Sequence, residues 1–597
     1  MCGIAGVFGW RASSRSPDRD ALVRVRDQMA SRGRDGVGHW SSADGRAMFG
    51  HRRLAIIDVD ARSDQPLGRG PLTIVCNGEI YNYRALRDEL AAQGVEFSTQ
   101  GDTEVVLALF ERDGPAAFAR LRGMFALAIF DERDASLTVA RDPYGIKPLY
   151  LAEADGQLWF ASQVKALRTV AAISSEPDCA GLAGFHLWGS IPEPFTLYRA
   201  IRALPAGHWQ HASAASVGEP VRFSSLAAIL SGALPAPVEE TEARVAEAIR
   251  DSVAAHLVAD VEVGLFLSAG IDSGALLGAM ANAGGGKVKA ITIGFEEFDG
   301  SQLDEVPIAA RVAERYGAEH IVERLSRADI EDNLEHILGS MDQPSIDGVN
   351  SWFASRAAHR AGLKVALSGL GADELLAGYS TFDTVPALQR RVRLAAKLPS
   401  AAAVVEWALK NGLKQLGERQ PKASGVLRHG GTLPGAYFVR RALLMPSGLS
   451  DVMDAEVMRA GLAVLRPVER VAETIDPMPP STVAAMMALE SGNYMKNQLL
   501  RDADWSSMAH TLELRVPFVD VPTLCKVARV APWLGARRGK RALAGVPCPA
   551  LPDEIVNRPK SGFATPLNVA IGARGMVDGG GSRDWARRVI DDFQRNG

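Results

Sequence analysis

A cysteine stands second in the chain, behind only the initiator methionine. Cysteine is small enough for that Met to be removed, which would leave a thiol beside its own α-amino group. An α-amino group titrates near about 8, so at neutral pH it can serve as base for the thiol. One residue, Cys2, then supplies both nucleophile and base, with no histidine required. Position alone does not make a site, since a terminal cysteine is usually nothing more. A second group follows an apolar run: Phe266-Leu267-Ser268-Ala269-Gly270-Ile271-Asp272-Ser273. Backbone N–H groups of a tight loop at a helix start cradle phosphate oxygens, and the Ser268 and Ser273 hydroxyls add donors. Asp272 offers a hard oxygen to Mg²⁺. The loop is not the GxxxxGK(S/T) pattern, which argues against transfer of a γ-phosphate. By itself it also fits an ordinary strand-to-helix turn capped by Asp272.

The elements that would carry these groups differ between the two halves. Short apolar runs at Leu72–Cys76, Met124–Phe130, Leu137–Ala140 and Leu158–Ala161 read as strands, the first closed by Asn77-Gly78 as a turn signal. Helical patterns at Tyr83–Gln93 and Thr103–Arg112 lie between them, which predicts stacked sheets covered by helices. From about 205 to 240 Ala, Ser, Gly and Pro dominate, and the stretch 206–238 reads as a linker. A helix is expected from Glu239 to about Val258. Strands at Val263–Leu267, Lys289–Ile293 and Lys364–Leu367 then alternate with helices at Gly274–Ala283 and Glu305–Tyr316, the pattern of a parallel α/β sheet. From Gly378 to about Ala509 the pattern is almost entirely helical. The expected fold is thus α/β and α+β in two domains.

Composition narrows the function. The 597 residues are 47% hydrophobic and 23% charged, ordinary for a globular chain of two or more domains. With 66 basic and 70 acidic residues the net charge is -4, which gives no electrostatic case for nucleic acid as a partner. No apolar run approaches a membrane span, and the N-terminus has no basic flank before an apolar core, so it does not read as a signal peptide. The cysteines Cys2, Cys76, Cys179, Cys525 and Cys548 are few, odd in number and scattered, which points to a reducing cytoplasm.

The segments around Cys2 change its weight. Met1-Cys2-Gly3-Ile4-Ala5-Gly6, His51-Arg52-Arg53-Leu54-Ala55-Ile56-Ile57-Asp58, Asn77-Gly78-Glu79-Ile80-Tyr81-Asn82, Gly101-Asp102-Thr103-Glu104 and Arg141-Asp142-Pro143-Tyr144-Gly145-Ile146-Lys147-Pro148-Leu149-Tyr150 occur in this order. Together they resemble the glutaminase domain of N-terminal-nucleophile amidotransferases. The resemblance implies that Arg53 clamps the α-carboxylate of glutamine, that Asp102 pairs with its α-ammonium, and that Asn77 and the Gly78 N–H form an oxyanion hole. It also places Leu54, Ala55, Ile56, Ile57 and Glu79 along the glutamine. Taken singly, each segment has a plain structural alternative: a hairpin turn, a surface charge, a helix cap. Ser31-Arg32-Gly33-Arg34-Asp35-Gly36 departs from the usual His-Arg-Gly-Pro-Asp-Gly, and Ser63 stands before Asp64-Gln65-Pro66 where Gly is more usual.

Further segments resemble the synthetase domain of glutamine-hydrolysing asparagine synthetases. They are the 266–273 loop, Leu303-Asp304-Glu305, Asp342-Gln343-Pro344-Ser345-Ile346-Asp347, Ser368-Gly369-Leu370-Gly371-Ala372-Asp373-Glu374, Ser507 to Asp520 and Arg558-Pro559-Lys560-Ser561-Gly562-Phe563. The resemblance covers about 1–205 and 240–567. It implies ATP bound by Leu267, Ser268, Gly270, Asp272, Ser273, Ile293, Ser368 and Gly369. It implies Mg²⁺ on Asp272 and Asp373, and Lys560 as a positive charge at the transition state. The expected layout is a glutaminase domain 1–205, the linker 206–238, an ATP-dependent synthetase domain 239–567 and a tail 568–597 of no assigned role. The expected reaction joins ammonia from glutamine to an adenylated carboxylate, with aspartate the first acceptor and another carboxylate (a sugar acid, a peptide, a metabolite precursor) the alternative. A glutamine or nucleotide sensor is the non-catalytic alternative. Partners are these small molecules, with neither nucleic acid nor membrane, and a homodimer is left open. Ala269 replaces a frequent Gly, and Leu370 stands where many relatives carry Glu.

Overall fold

The computed structural model describes residues 2–11, 16–284, 286–393, 422–535, 537–558 and 580–596. Among these, the N-terminal unit holds two six-stranded antiparallel sheets. The first is ordered Ile201–Ala203, Tyr150–Ala154, Gln157–Ala161, Gly3–Gly9, Ala47–Arg53, Gly36–Ser41; the second runs Val221–Arg222, His208–Ala212, Ser136–Arg141, Gly123–Asp131, Leu72–Ile80, Leu67–Arg69. Their facing sides interlock Ile4, Phe8, Phe49, Val75, Phe130 and Phe160, all fully buried or nearly so. The Arg19–Gln28 helix covers the outside of the first sheet, and Tyr83–Ala92 and Asp102–Asp113 cover the second. This is the expected stack of sheets between helices.

The Gly3–Gly9 strand is buried along its whole length and pairs on both edges, which is why it can hold a nucleophile at its start with little freedom. Two expectations need correction. Asn77-Gly78 is not a turn: the strand runs on to Ile80, with Asn77 opposite Ala126 and Gly78 opposite Phe125. Glycine is required at 78 because a Cβ would lie 2.3 Å from the Met124 carbonyl oxygen. The stretch 206–238 is also more than a connection. His208–Ala212 pairs with the Ser136–Arg141 strand and Val221–Arg222 adds the sheet edge, before the Leu226–Gly232 helix leads out. Ala-Ser-Gly composition hid this because the strand is short and its partner is distant in sequence.

The C-terminal unit is built, among the described residues, on a five-stranded parallel sheet. Its order is Glu319–Leu325, Lys289–Phe295, Val263–Phe266, Val365–Leu367, Glu513–Arg515. The helices Thr241–His256, Ile271–Ala283 and Arg538–Ala544 pack on one face; Val349–Arg360 and Leu500–Met508 pack together on the other. The strand order reverses at Val263–Phe266, so the loops after it and after Val365–Leu367 open a crevice between them, where α/β sheets bind ligands. Helices fill the described part of 381–508, as expected. The C-terminal helix Gly580–Asn596 buries Trp585, Val589 and Phe593 in a core shared with Leu167 and Leu338. No helix among the described residues is long and apolar enough to cross a membrane.

Two buried histidines tie this fold to pH. Burial lowers His51 to about 3 and His256 to about 4. The unfolded chain takes up these protons below about 6.5, whereas the folded chain resists them until the lowered values. The contribution of these two groups to stability should therefore be level above pH 7 and fall as pH drops from about 6.5 towards 4, by an amount on the order of a few kcal/mol. Thermal melts across pH 4–8 check this; a midpoint unchanged between pH 7 and 5 contradicts it.

Candidate active sites

Cys2 is 7% exposed, and its N–H donates to Asn77 Oδ1 at 3.0 Å. Asn77 is fully buried, and its Nδ2 has no hydrogen-bond partner among the described residues. Phe125, opposite Gly78, spends its own N–H and C=O on Asp142, on the far side of its strand. The Gly78 N–H consequently points away from that strand, to the same side as the Ile80 N–H, which donates to Asp102 Oδ2 at 2.9 Å. The structure thus brings Cys2, Asn77, Gly78 and Asp102 together at the end of one strand. Burial pushes the Cys2 thiol up, while the positive amino terminus, the Leu54 N–H and Arg53 pull it back. A thiol kept neutral needs a base at the moment of attack.

The 53–58 segment, expected from the sequence to hold glutamine, is braced by its own loop. Arg53 Nη1 donates to Asp64 Oδ1 at 2.7 Å and to the Asp60 carbonyl at 2.9 Å, and its Nη2 donates to the Asp58 carbonyl. The guanidinium is thus oriented by the loop that carries it. The Ala55 N–H donates to Asp35 Oδ2, and the Asp260 N–H donates to the Ile56 carbonyl. Gln65, one of the residues after the unusual Ser63, accepts from the Cys76 N–H at 2.6 Å and reaches Thr103, tying the 58–65 loop to the Asn77 strand and the Asp102 helix. Leu54, Ile56 and Ile57 are buried in the core beneath that helix. Glu79 turns towards the other unit: its carboxylate lies 3.5 Å from Arg515, and burial together with nearby Glu513 raises its pKa.

The second site is the crevice of the parallel sheet. A cavity of about 210 Å³ is lined by Leu267, Ser268, Asp272, Ser273, Ile293, Ser368, Gly369 and Leu370, with Asn350, Ser351 and Ala354 from the Val349–Arg360 helix. The Ser268–Ser273 turn is closed by the Ser268 N–H on Ser273 Oγ at 3.0 Å and the two hydroxyls at 2.9 Å. Gly270 caps the Ile271–Ala283 helix in extended geometry with no side-chain cap, and Asp272 and Ser273 of its first turn line the cavity. Gly369 lets the two loops touch: a Cβ there would stand 3.0 Å from the Asp272 Cβ.

Asp272 and Asp373 converge. Lys540 Nζ lies 2.5 Å from Asp272 Oδ1 and 2.7 Å from Asp373 Oδ1. Gly378 gives room for this, since a Cβ there would collide with Asp373 Oδ1 and the Lys540 chain. Burial alone would lower the Lys540 pKa, but the two carboxylates outweigh it and raise it. Two hard carboxylate oxygens converging on one cation, with Asp272 also lining the cavity, fit Mg²⁺, which is held by one or two carboxylates plus substrate phosphates. Nothing in the sequence marks Lys540. It lies in Arg537-Arg538-Gly539-Lys540-Arg541, a run that reads as surface charge; only its two distant partners distinguish it. Lys560 lies outside the described residues.

A larger cavity, of about 540 Å³, opens where the units meet, with Tyr144, Trp188, Asp347, Arg441, Tyr494 and Lys496 among its lining. Glu374, next to Asp373, accepts from the Tyr379 hydroxyl at 3.0 Å, and burial with Asp373 beside it raises it to about 7.

Comparisons with known proteins follow the same division. A family model described as glutamine amidotransferase domain matches residues 1–222, and one described as asparagine synthase matches residues 244–595. The putative glutamine-hydrolyzing asparagine synthetase of Mycobacterium tuberculosis H37Rv is 33% identical over 627 residues, covering 100% of this chain and 91% of that protein. Glutamine-hydrolyzing asparagine synthetase 1 of Bacillus subtilis strain 168 is 31% identical over 615 residues, covering 100% and 89%. Amidase chry2 of Gibberella zeae is 31% identical over 412 residues, covering 64% and 60%.

Proposed function

The chain belongs to the asparagine synthase family, with a glutamine amidotransferase domain ahead of the synthase domain, and from that premise we propose that it converts aspartate to asparagine with glutamine as nitrogen donor and ATP as energy source. In the first half the Cys2 sulfur attacks the side-chain amide carbon of glutamine and the α-amino group takes the thiol proton. The oxyanion is held by Asn77 Nδ2 and the Gly78 N–H. Ammonia leaves, and water then releases glutamate from the thioester. Arg53 and Asp102 take the α-carboxylate and α-ammonium of the substrate.

In the second half the acceptor carboxylate attacks the α-phosphorus of ATP, pyrophosphate leaves, and ammonia expels AMP from the acyl-adenylate. The Ser268–Ser273 loop and Ser368-Gly369 would hold the phosphates, with Leu267 and Ile293 against the nucleoside. Asp272 and Asp373 would hold Mg²⁺, which supplies positive charge to the pyrophosphate as it departs. Lys560 keeps the role the family resemblance gives it, a cation for the charge of adenylate formation. Lys540 positions the two carboxylates. The observation that carries this reading is the meeting of Asp272 and Asp373, from loops on either side of the strand reversal, which a glutaminase alone would not need.

A second acceptor is favoured by one observation: Leu370 lines the cavity where a carboxylate would meet the aspartate ammonium. An unpaired buried ammonium costs several kcal/mol, so this reading replaces aspartate by a carboxylate with no free ammonium. With glutamine, ATP and Mg²⁺ supplied, asparagine, AMP and pyrophosphate should form from aspartate with a micromolar-to-millimolar KM, the usual range of enzymes for their substrates. No AMP at saturating aspartate, with clear AMP from another carboxylate, moves the enzyme to the second reading; no pyrophosphate with any carboxylate refutes both.

A further inference from the structure

We propose that Asp504, a residue of the synthase unit, positions the Cys2 nucleophile of the glutaminase unit through Arg32. This rests on Cys2 being the nucleophile. The Arg32 guanidinium is fully buried. Its Nη1 and Nη2 form a bidentate pair with the two Asp504 oxygens at 2.7 and 2.9 Å, and its Nε donates to the Cys2 carbonyl oxygen at 3.1 Å. A planar fork held through both terminal nitrogens by one carboxylate has little freedom to rotate, so the third donor, Nε, fixes the Cys2 backbone in place. Cys2 carries both reacting groups, its thiol and its amine, on that backbone.

The hold extends along the same glutaminase loop. Thr511 Oγ1 donates to the Ser31 carbonyl at 2.7 Å, and Lys364 Nζ pairs with Asp35 at 2.8 Å. Asp35 in turn accepts from the Ala55 N–H, in the glutamine segment. Three residues of the synthase unit therefore grip residues 31–35, and one of them reaches the nucleophile through a single side chain. Asp504 lies on the Leu500–Met508 helix, which packs against the Val349–Arg360 helix whose Asn350, Ser351 and Ala354 line the nucleotide cavity. The sequence departs from the usual pattern at both Ser31 and Arg34 of this loop yet keeps Arg32 and Asp35, the two side chains that the synthase unit holds.

A misplacement of about 1 Å at a reacting group can cost on the order of 100-fold in rate. Asp504→Asn keeps the volume and removes the charge and one acceptor of the bidentate pair. In the full-length chain its glutaminase kcat should fall at least about tenfold, with the glutamine KM within about twofold of wild type and ammonia-dependent synthesis within about twofold. Thr511→Val, which loses an uncharged bond on the same loop, should lower glutaminase kcat in the same selective way by a smaller factor, and it serves where Asp504→Asn does not fold. Unchanged glutaminase kcat in the folded Asp504→Asn chain, or equal losses in glutaminase and ammonia-dependent synthesis, overturns the positioning role. If instead Cys2→Ala retains glutaminase, the underlying reading fails, and the two failures are told apart by that variant.

Discussion

Cys2→Ala should abolish glutamine-dependent amide formation while leaving ammonia-dependent synthesis near the wild-type rate. The expected loss of glutaminase kcat is on the order of 10⁴-fold or more, because the covalent route is removed rather than weakened. Three features of the structure support that size. The thiol is buried at the start of a strand paired on both edges. Its partner Asn77 uses Oδ1 on the Cys2 N–H, which leaves Nδ2 free to meet an oxyanion. The Gly78 N–H is aimed to the same side of the strand. No other thiol can substitute, since Cys76 is buried in the core with its pKa pushed well up by desolvation, and the remaining cysteines lie elsewhere. The second half-reaction uses none of these groups, so added ammonium should restore product in full. Glutamate release from glutamine at the wild-type rate in the variant would show that Cys2 is not the nucleophile.

Much of this arrangement could be read from the residues, and the reasons it could are local. The strands at Leu137–Ala140, Leu158–Ala161 and Lys289–Ile293 and the helices at Tyr83–Gln93 and Glu305–Tyr316 announce themselves by periodicity, and the structure places them within a few residues. Local rules fail where a distant neighbour decides. Asn77-Gly78 carries the strongest short turn signal, yet it lies mid-strand because the Gly123–Asp131 strand passes too close for any side chain at 78. His208–Ala212 is a strand only because Ser136–Arg141 offers an edge. The same holds in the sites. Loop chemistry points to Asp272 and the family resemblance adds Asp373, but Lys540 gains meaning only from their convergence, and Asp504 only from Arg32. Contacts between units, such as Arg122 with Asp520 and Asp251, leave no periodic trace in either partner.

Asp272→Asn and Asp373→Asn should each remove synthesis with either nitrogen source while sparing glutaminase. The two carboxylates sit on loops from either side of the strand reversal, and Gly369 and Gly378 are the clearances that let them approach. With Lys540 between them the local charge is one net negative, which attracts a divalent cation and the phosphates it accompanies. Either amide variant brings that sum to zero and removes one hard oxygen ligand. A metal at a departing pyrophosphate contributes several kcal/mol to the transition state, and each 1.36 kcal/mol is tenfold in rate, so a loss on the order of 10²–10⁴-fold follows. The effect should appear in kcat and in the Mg²⁺ concentration needed for half activity, and raising Mg²⁺ should recover part of it. Lys540→Met separates this from simple charge removal. It frees both carboxylates to bind the cation more tightly but leaves them without their positioning partner, so its Mg²⁺ requirement should fall while kcat drops. Pyrophosphate release at the wild-type rate by Asp272→Asn or Asp373→Asn would show that the pair does not hold the metal, and the two aspartates would then serve as structural partners of Lys540.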